Sequence, residues 1–416
     1  MPRIKQKFDS SFFLVPNLDI ECWRLSVQSF LFKFCLFFLI VIPVPLLSQT
    51  SSDSSTTTVQ NPQVTLAAVG DIIVHDSQLK AAWRPEKDAY DFDMSFTLVQ
   101  SLLGNADLTL ANLETTLPGR PELYSGYPRF GTPDALASAL KNAGVDLLTT
   151  ANNHALDKGK WGLLRTLDML DSLGFYHIGT YRDTVEYWQN RILYIEKNGL
   201  KLAFLNYTYA LNGILVPRGI RVGMIRQNEM MADVAEARFH KPDAIIVLLH
   251  AGKEYQREPD AYQKKQVEFL FNQGVDVVLG GHPHVLQPFE LKKVTDKYGV
   301  TKPRLVIWSL GNFISNQRDR YRDGGIVFKF RLTKQDSLIN IDNITYDPVY
   351  VHRMWTKSGR KHILLPVKEF LKNDRIIKLP YNEFERMMTF YNDTNELLEP
   401  CLKQVQEFSK LQTIMN

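Results

Sequence analysis

From Val64 onward, short apolar runs alternate with longer stretches in which apolar residues recur at helical spacing. The runs at Ala67-Ala68-Val69, Leu108-Thr109-Leu110-Ala111, Leu147-Leu148, Ile245-Ile246-Val247-Leu248-Leu249 and Val277-Val278-Leu279 read as buried strands. Between them lie helical segments. One begins at Thr132-Pro133, with proline in the first turn, and ends near Asn142 before Gly144. Others span Gly159–Ser172, Gln227–Phe239 and Tyr262–Asn272. Asn198-Gly199 between Ile192–Ile195 and Leu202–Leu205 predicts a hairpin, and the alternation over Ile339–Val351 predicts late antiparallel strands. Residues after about Lys361 read as polar and helical. The pattern predicts an α/β (α+β) fold whose sheets are mixed and flanked by helices.

The residues at the strand ends are more telling than the strands themselves. Gly70-Asp71, with His75 close behind, ends the first. Asn112-Leu113-Glu114 ends the second, Asn152-Asn153-His154 comes after the third, and His250 closes the fourth. Gly280-Gly281-His282-Pro283-His284 closes the fifth, delivering two imidazoles one residue apart. Ligands collect at the carboxyl ends of strands in α/β sheets. Carboxylate, amide oxygen and imidazole together make the ligand set of a mixed N/O divalent-metal site. Core packing has no use for such residues at five successive strand ends.

Bulk properties narrow the picture further. The 416 residues are 44% hydrophobic and 23% charged with a net charge of +4, values of an ordinary globular protein and not of a nucleic-acid binder. Residues 1–48 stand apart: Arg3, Lys5, Lys7, Arg24 and Lys33 precede an apolar run from Phe34 to Leu47 that Pro43 and Pro45 interrupt. That run is short for a membrane span and fits a signal peptide cleaved near Ser48–Gln49, or an uncleaved N-terminal anchor. Export to the periplasm or cell surface is the expectation. A Ser/Thr-rich linker over 49–61, a main domain over 62–350 and a mostly helical extension over 351–416 complete the division. Cys22 and Cys35 lie in the leader, so Cys401 is alone beyond it and any metal must rest on N and O ligands. His177, His240, His352 and His362 have no matching neighbourhood and receive no role.

The ordered set Gly70-Asp71, Asn112-Leu113-Glu114, Asn152-Asn153-His154, His250, Gly281–Val285 and Ser309–Phe313 resembles the CapA family of bacterial capsule (poly-γ-glutamate) biosynthesis proteins, over roughly Val64 to Tyr350. That family is similar in turn to the calcineurin-like metallophosphoesterases. The resemblance implies a four-layer α/β/β/α sandwich of two mixed sheets around two divalent metal ions, manganese, zinc or iron. Asp71 and His284, helped by His75, would hold one ion; Asn153, His250 and His282 would hold the other. Glu114 would bridge, His154 would protonate a leaving group, and Asn112 and Asn312 would orient the ligands. Ala251 departs from the family's aromatic, while Glu254 and Tyr255 match in type and Lys253 adds a cation. Glutamate at 114, where phosphoesterases use aspartate, lengthens the bridge by one methylene. The implied function is a metal-dependent hydrolase of a phosphoester or an anionic polymer such as polyglutamate. The alternative is a non-catalytic scaffold subunit of a membrane-bound synthesis and export complex, and an amide hydrolase is a third reading.

Overall fold

The computed structural model describes residues 61–416 except 337, 357–358, 374–376 and 416, and the leader expectation falls outside the described residues. Two large sheets form the centre. In the first, eight-stranded sheet, the order is Gly359–Pro366, Leu338–Thr356, Gly324–Gln335, Gln63–Ile72, Leu108–Leu113, Leu147–Thr149 and Tyr176–Ile178, with Asn312–Ile314 also beside Gln63–Ile72. The second has six strands, in the order Phe289–Thr295, Thr301–Ile307, Val277–Gly281, Ala244–His250, Leu200–Thr208 and Leu193–Lys197. The first sheet is parallel from Gln63–Ile72 to its Tyr176–Ile178 edge and antiparallel on the other side, while the second has a parallel middle and antiparallel outer strands, so both are mixed.

The alternation along each strand explains the layering. In Gln63–Ile72, Leu66 and Ala68 enter the core between the sheets, where they join Phe204, Ile246 and Ile307 of the second sheet. Ala67 and Val69 point the other way, onto Leu136, Leu140 and Leu170 of the Ala135–Asn142 and Gly159–Ser172 helices. In Ala244–His250 the split repeats: Ile246 faces the first sheet, and Ile245 and Val247 face Met230, Val234, Val267 and Leu270 of Gln227–Phe239 and Ala261–Gln273. Strands buried on both faces read as continuous apolar runs, which is how they stand in the sequence. The result is the expected α/β/β/α sandwich. The hairpin between Leu193–Lys197 and Leu200–Thr208 turns on Asn198 (φ 48°) and Gly199 (φ 79°), the left-handed pair such a two-residue loop needs.

The C-terminal part differs from the sequence reading. The Leu338–Thr356 strand passes Tyr350, and Gly359–Pro366 pairs with it, so the first sheet continues to Pro366 and helix starts only at Val367. The apolar trio Ile363-Leu364-Leu365 drives this, all three being buried. The long Tyr381–Met415 helix then returns to the sheet, burying Met387 and Phe390 with Tyr350, and Leu398 and Cys401 in the core between the sheets. Glu383 pins its first turn, accepting from Arg318 Nη2 at 2.5 Å and Tyr350 OH at 3.1 Å, with His352 Nδ1 at 3.2 Å. Burial opposes its charge, but the His352 hydrogen bond, Arg318 and Tyr350 outweigh that and bring the Glu383 carboxyl down to about 2. The stabilisation is therefore present above the ordinary glutamate range and lost as pH falls through about 2. Glu383→Gln is expected to cost about 1–2 kcal/mol at neutral pH. Thermal unfolding should show that deficit shrinking between about pH 4.5 and pH 2; a constant deficit would contradict the ion-pair account.

Candidate metal centre

The carboxyl ends of the two parallel sheet cores meet at one place. Asp71, Glu114 and the 152–154 turn arrive from the first sheet, and His250, His282 and His284 from the second. Glycines make the convergence possible. A Cβ on Gly70 would sit 1.9 Å from the Gly311 carbonyl oxygen, which accepts the Asp71 N–H, and one on Gly280 would sit 2.0 Å from the Trp308 carbonyl oxygen. Only bare backbone lets the 308–311 segment lie against both strand ends. Past the second strand, His282 (φ 97°) and His284 (φ 59°) adopt left-handed backbone that side chains avoid, a strain of about 1–3 kcal/mol each that clusters at functional sites. That conformation turns both imidazoles inward, and the His282 N–H lies 3.3 Å from Asp71 Oδ2.

Two trios of potential ligands result, Asp71 with Glu114 and His250, and Glu114 with His282 and His284; their ligand atoms lie within 4.8 Å of one another and all five residues are buried. Glu114 is common to both, where the resemblance places the bridging carboxylate. His250 groups with Asp71 and His282 with His284, while His284 Nδ1 lies 3.1 Å from Asp71 Oδ2, the pair that the resemblance places on one ion. Asn153 joins through its Oδ1, 2.8 Å from His250 Nε2. Asn112 donates to Asp71 Oδ1 at 2.8 Å and to Glu114 Oε2 at 3.3 Å, and is itself held by Asn152 at 3.1 Å and Thr149 at 3.3 Å.

Whether this set fits a metal can be asked of its own atoms. Glu114 Oε1 and His282 Nδ1 are buried without a hydrogen-bond partner. Imidazole nitrogens stand around Glu114 Oε1 at 3.5 Å (His250), 3.9 Å (His284) and 4.0 Å (His154). Buried polar atoms are seldom left so in a protein interior, and a divalent cation satisfies both at once. Burial, reinforced by His250 and His284, brings His282 down to about 2, so its ring is neutral as a ligand requires. Burial also opposes charge on His284, but Glu114 and Asp71 outweigh it and lift that ring to about 9. For Asp71 burial is likewise overcome, by His284, His250 and Asn112, which hold its carboxyl below the ordinary range. The residues fit the ions that the resemblance implies.

The other expected residues take different places. His154 lies beside the trios with Nδ1 2.7 Å from Asp157 Oδ2, and its ring meets the Phe130 edge at 4.6 Å. Burial opposes its charge, yet the Asp157 hydrogen bond and Glu114 raise its pKa. His75 stands outside both trios, in the cleft wall. Its Nδ1 lies 3.2 Å from the Asn316 backbone N and 3.3 Å from Gln78 Oε1. Both contacts lie on the side of Asn316 and Gln78, apart from the two trios. Asn312 pairs in register with Asp71, but its amide donates to Gln317 Oε1 at 2.9 Å and the Arg322 carbonyl at 3.2 Å, holding the adjoining loop and no ligand. Lys253 is exposed and outside the cleft lining, whereas Glu254 and Tyr255 are in it. Two contributors, Asp157 and Asn212, escaped the sequence reading. Asp157 carries a usable signal, its spacing three residues after His154 within one turn. Asn212, which accepts from Asn153 at 3.2 Å and lies 3.4 Å from His154, comes from a distant loop with none. Tyr209 packs its ring 4.5 Å from that of His282. Above these groups opens a cleft of about 550 Å³, with Arg129, Phe130 and Tyr255 on its walls.

Residues 65–317, the span that supplies every ligand, match the family model described as bacterial capsule synthesis protein PGA_cap. The chain belongs to this family. Among relatives of the PGA_cap protein are the capsule biosynthesis protein CapA of Bacillus anthracis, 26% identical over 64% of the chain, and the PGA biosynthesis protein CapA of Bacillus subtilis, 28% identical over 56%. The matches span 64% and 60% of those relatives' own length. Similar solved structures include the calcineurin-like phosphoesterase YfkN of Bacillus subtilis (15% identical, 69% of this chain and 90% of that one, TM-score 0.40). A 5′-nucleotidase of Candida albicans is another (13% identical, 81% and 59%, TM-score 0.39).

Proposed function

We propose that this PGA_cap protein is a metal-dependent hydrolase of capsule biosynthesis that acts on a phosphoester or an anionic polymer of the poly-γ-glutamate kind. The observation behind this reading is the pair of buried, partnerless atoms, Glu114 Oε1 and His282 Nδ1, set among further N/O ligands of which Asn153 and His284 line the cleft. Asp71, Glu114, Asn153, His250, His282 and His284 would hold two divalent ions. When bound, such ions polarise the scissile bond and acidify water at neutral pH. The chain's own residues supply the rest. Asp157 fixes the His154 ring so that Nε2 is the atom that delivers a proton to the leaving group. Arg129, exposed on the cleft wall and without a carboxylate partner among the described residues, suits an anionic substrate. The relatives' names support the capsule assignment, and the basic start with the Phe34–Leu47 run supports action outside the cytoplasm.

Hydrolysis of a phosphomonoester, a phosphodiester and poly-γ-glutamate should be compared for the protein stripped by chelator and reloaded with manganese or zinc. Activity that appears only after reloading is the expected result. A metal-loaded protein inert toward all three would sink the hydrolase reading and leave the scaffold role in a membrane-bound synthesis complex.

A further inference from the structure

Another cavity, of about 830 Å³, shares no lining residue with the cleft and is lined by Asp76, Trp83, Asp88, Tyr90 and Tyr124. Three aromatic rings line it. Trp83 and Tyr90 are directly opposed on a short two-stranded ribbon, their ring centroids 4.9 Å apart and their planes inclined by 59°. Tyr124 meets Tyr90 at 5.6 Å and 89°. A cross-strand aromatic pair alone would only stabilise the ribbon. The third ring, nearly perpendicular, turns the pair into a corner with ring faces on more than one side. Two carboxylates share the cavity, Asp76 and Asp88, and neither has a lysine or arginine partner among the described residues. Asp76 Oδ1 accepts the Gly126 N–H at 2.7 Å, which ties this wall to the loop that borders the metal cleft. Burial and the nearby carboxylates Asp134 and Glu122 raise the Tyr124 phenol above its ordinary range, in keeping with a negative surrounding. Lys80 is the one cation of the lining, exposed on the last turn of its helix. No lysine or arginine of the described residues stands over any of the three rings.

From this arrangement we infer that the cavity is a binding site for an organic ammonium group, seated against Trp83, Tyr90 and Tyr124 and balanced by Asp76 and Asp88. Ring faces carry negative charge density and attract a cation most strongly when it is weakly hydrated and enclosed on several sides. Carboxylates at the edge add long-range attraction without needing direct contact. An apolar ligand would gain nothing from Asp76 and Asp88, and an anion would be repelled by them. The site depends on none of the metal ligands, so it stands or falls apart from the hydrolase reading.

The test titrates the full chain with choline at constant ionic strength, monitoring its methyl protons by saturation-transfer NMR. Its uncharged analogue, with a tert-butyl group in place of trimethylammonium, and the primary ammonium of butylamine are run beside it. Saturable choline binding that the neutral analogue fails to match is expected. Trp83→Leu should weaken it about tenfold. Asp88→Asn, at an exposed position where folding is not at risk, should weaken it about threefold while leaving the neutral analogue unchanged. A preference for butylamine over choline would assign the site to primary ammonium groups, as on lysine side chains, and support the inference equally. Equal binding of the neutral analogue, or no binding of either ammonium ion by a folded protein, would overturn it.

Discussion

Replacing Glu114 with glutamine is expected to abolish tight divalent-metal binding and, with it, the stabilisation that metal confers. Glu114 is the residue shared by both ligand trios, so its loss removes a donor from each at once. An amide oxygen is a much weaker donor than a carboxylate and adds no charge to balance a divalent ion. In the metal-free protein Oε1 has no hydrogen-bond partner, but the carboxylate lifts the His284 ring and so pairs with it electrostatically. Removing one partner of such a buried pair lowers the stability of the metal-free protein. The decisive quantity is therefore the gain in stability on adding metal, not the metal-free stability itself. Wild-type protein should gain about 2.7 kcal/mol of stability from a metal at a hundred times its dissociation constant, and Glu114→Gln should gain almost nothing. Thermal unfolding with and without manganese reads both. A variant that gains as much stability from manganese as the wild type would remove Glu114 from the metal site.

His154→Asn is expected to lower kcat by about 10²–10⁴-fold with metal content unchanged, since His154 belongs to neither trio. Its ring is fixed by Asp157 at 2.7 Å, and that carboxylate also accepts the Phe130 N–H at 2.6 Å. The ring therefore lines the cleft in one orientation and needs no reorganisation to donate from Nε2. Asp157→Asn keeps the imidazole but loosens its orientation, so a smaller fall is expected. The comparison that decides is kcat against bound metal for the same samples. An unchanged kcat in His154→Asn would remove this residue from the chemistry, and a parallel loss of metal would make it a ligand.

Much of this was readable from the sequence because the relevant residues are local to strand ends. Asp71, Glu114, His250 and His282 each come at or just after an apolar run, and strand direction alone carries them to one edge. The two-sided burial of those strands likewise shows in their unbroken apolar runs. Where the reading went astray, the deciding forces were not local. Ile363, Leu364 and Leu365 look like the start of a helix, but the open edge of the Leu338–Thr356 strand recruits them as another strand. His75 resembles a ligand by its distance from Asp71 along the chain, yet its Nδ1 lies beside Gln78 and Asn316, the latter 241 residues away, and it stands outside both trios. Asn212 reaches His154 from a loop whose position no pattern announces. The left-handed backbone at His282 and His284, which turns both rings into the site, is likewise not suggested by the two residues' identities.

The most direct test of the metal centre is the metal content of the domain from about Gln49, purified and reconstituted with manganese or zinc, beside the His282→Ala/His284→Ala double variant. The account predicts about two ions per chain in the wild type, as a paired site requires, and their loss in the variant. A folded wild-type protein that holds no metal after reconstitution would contradict it.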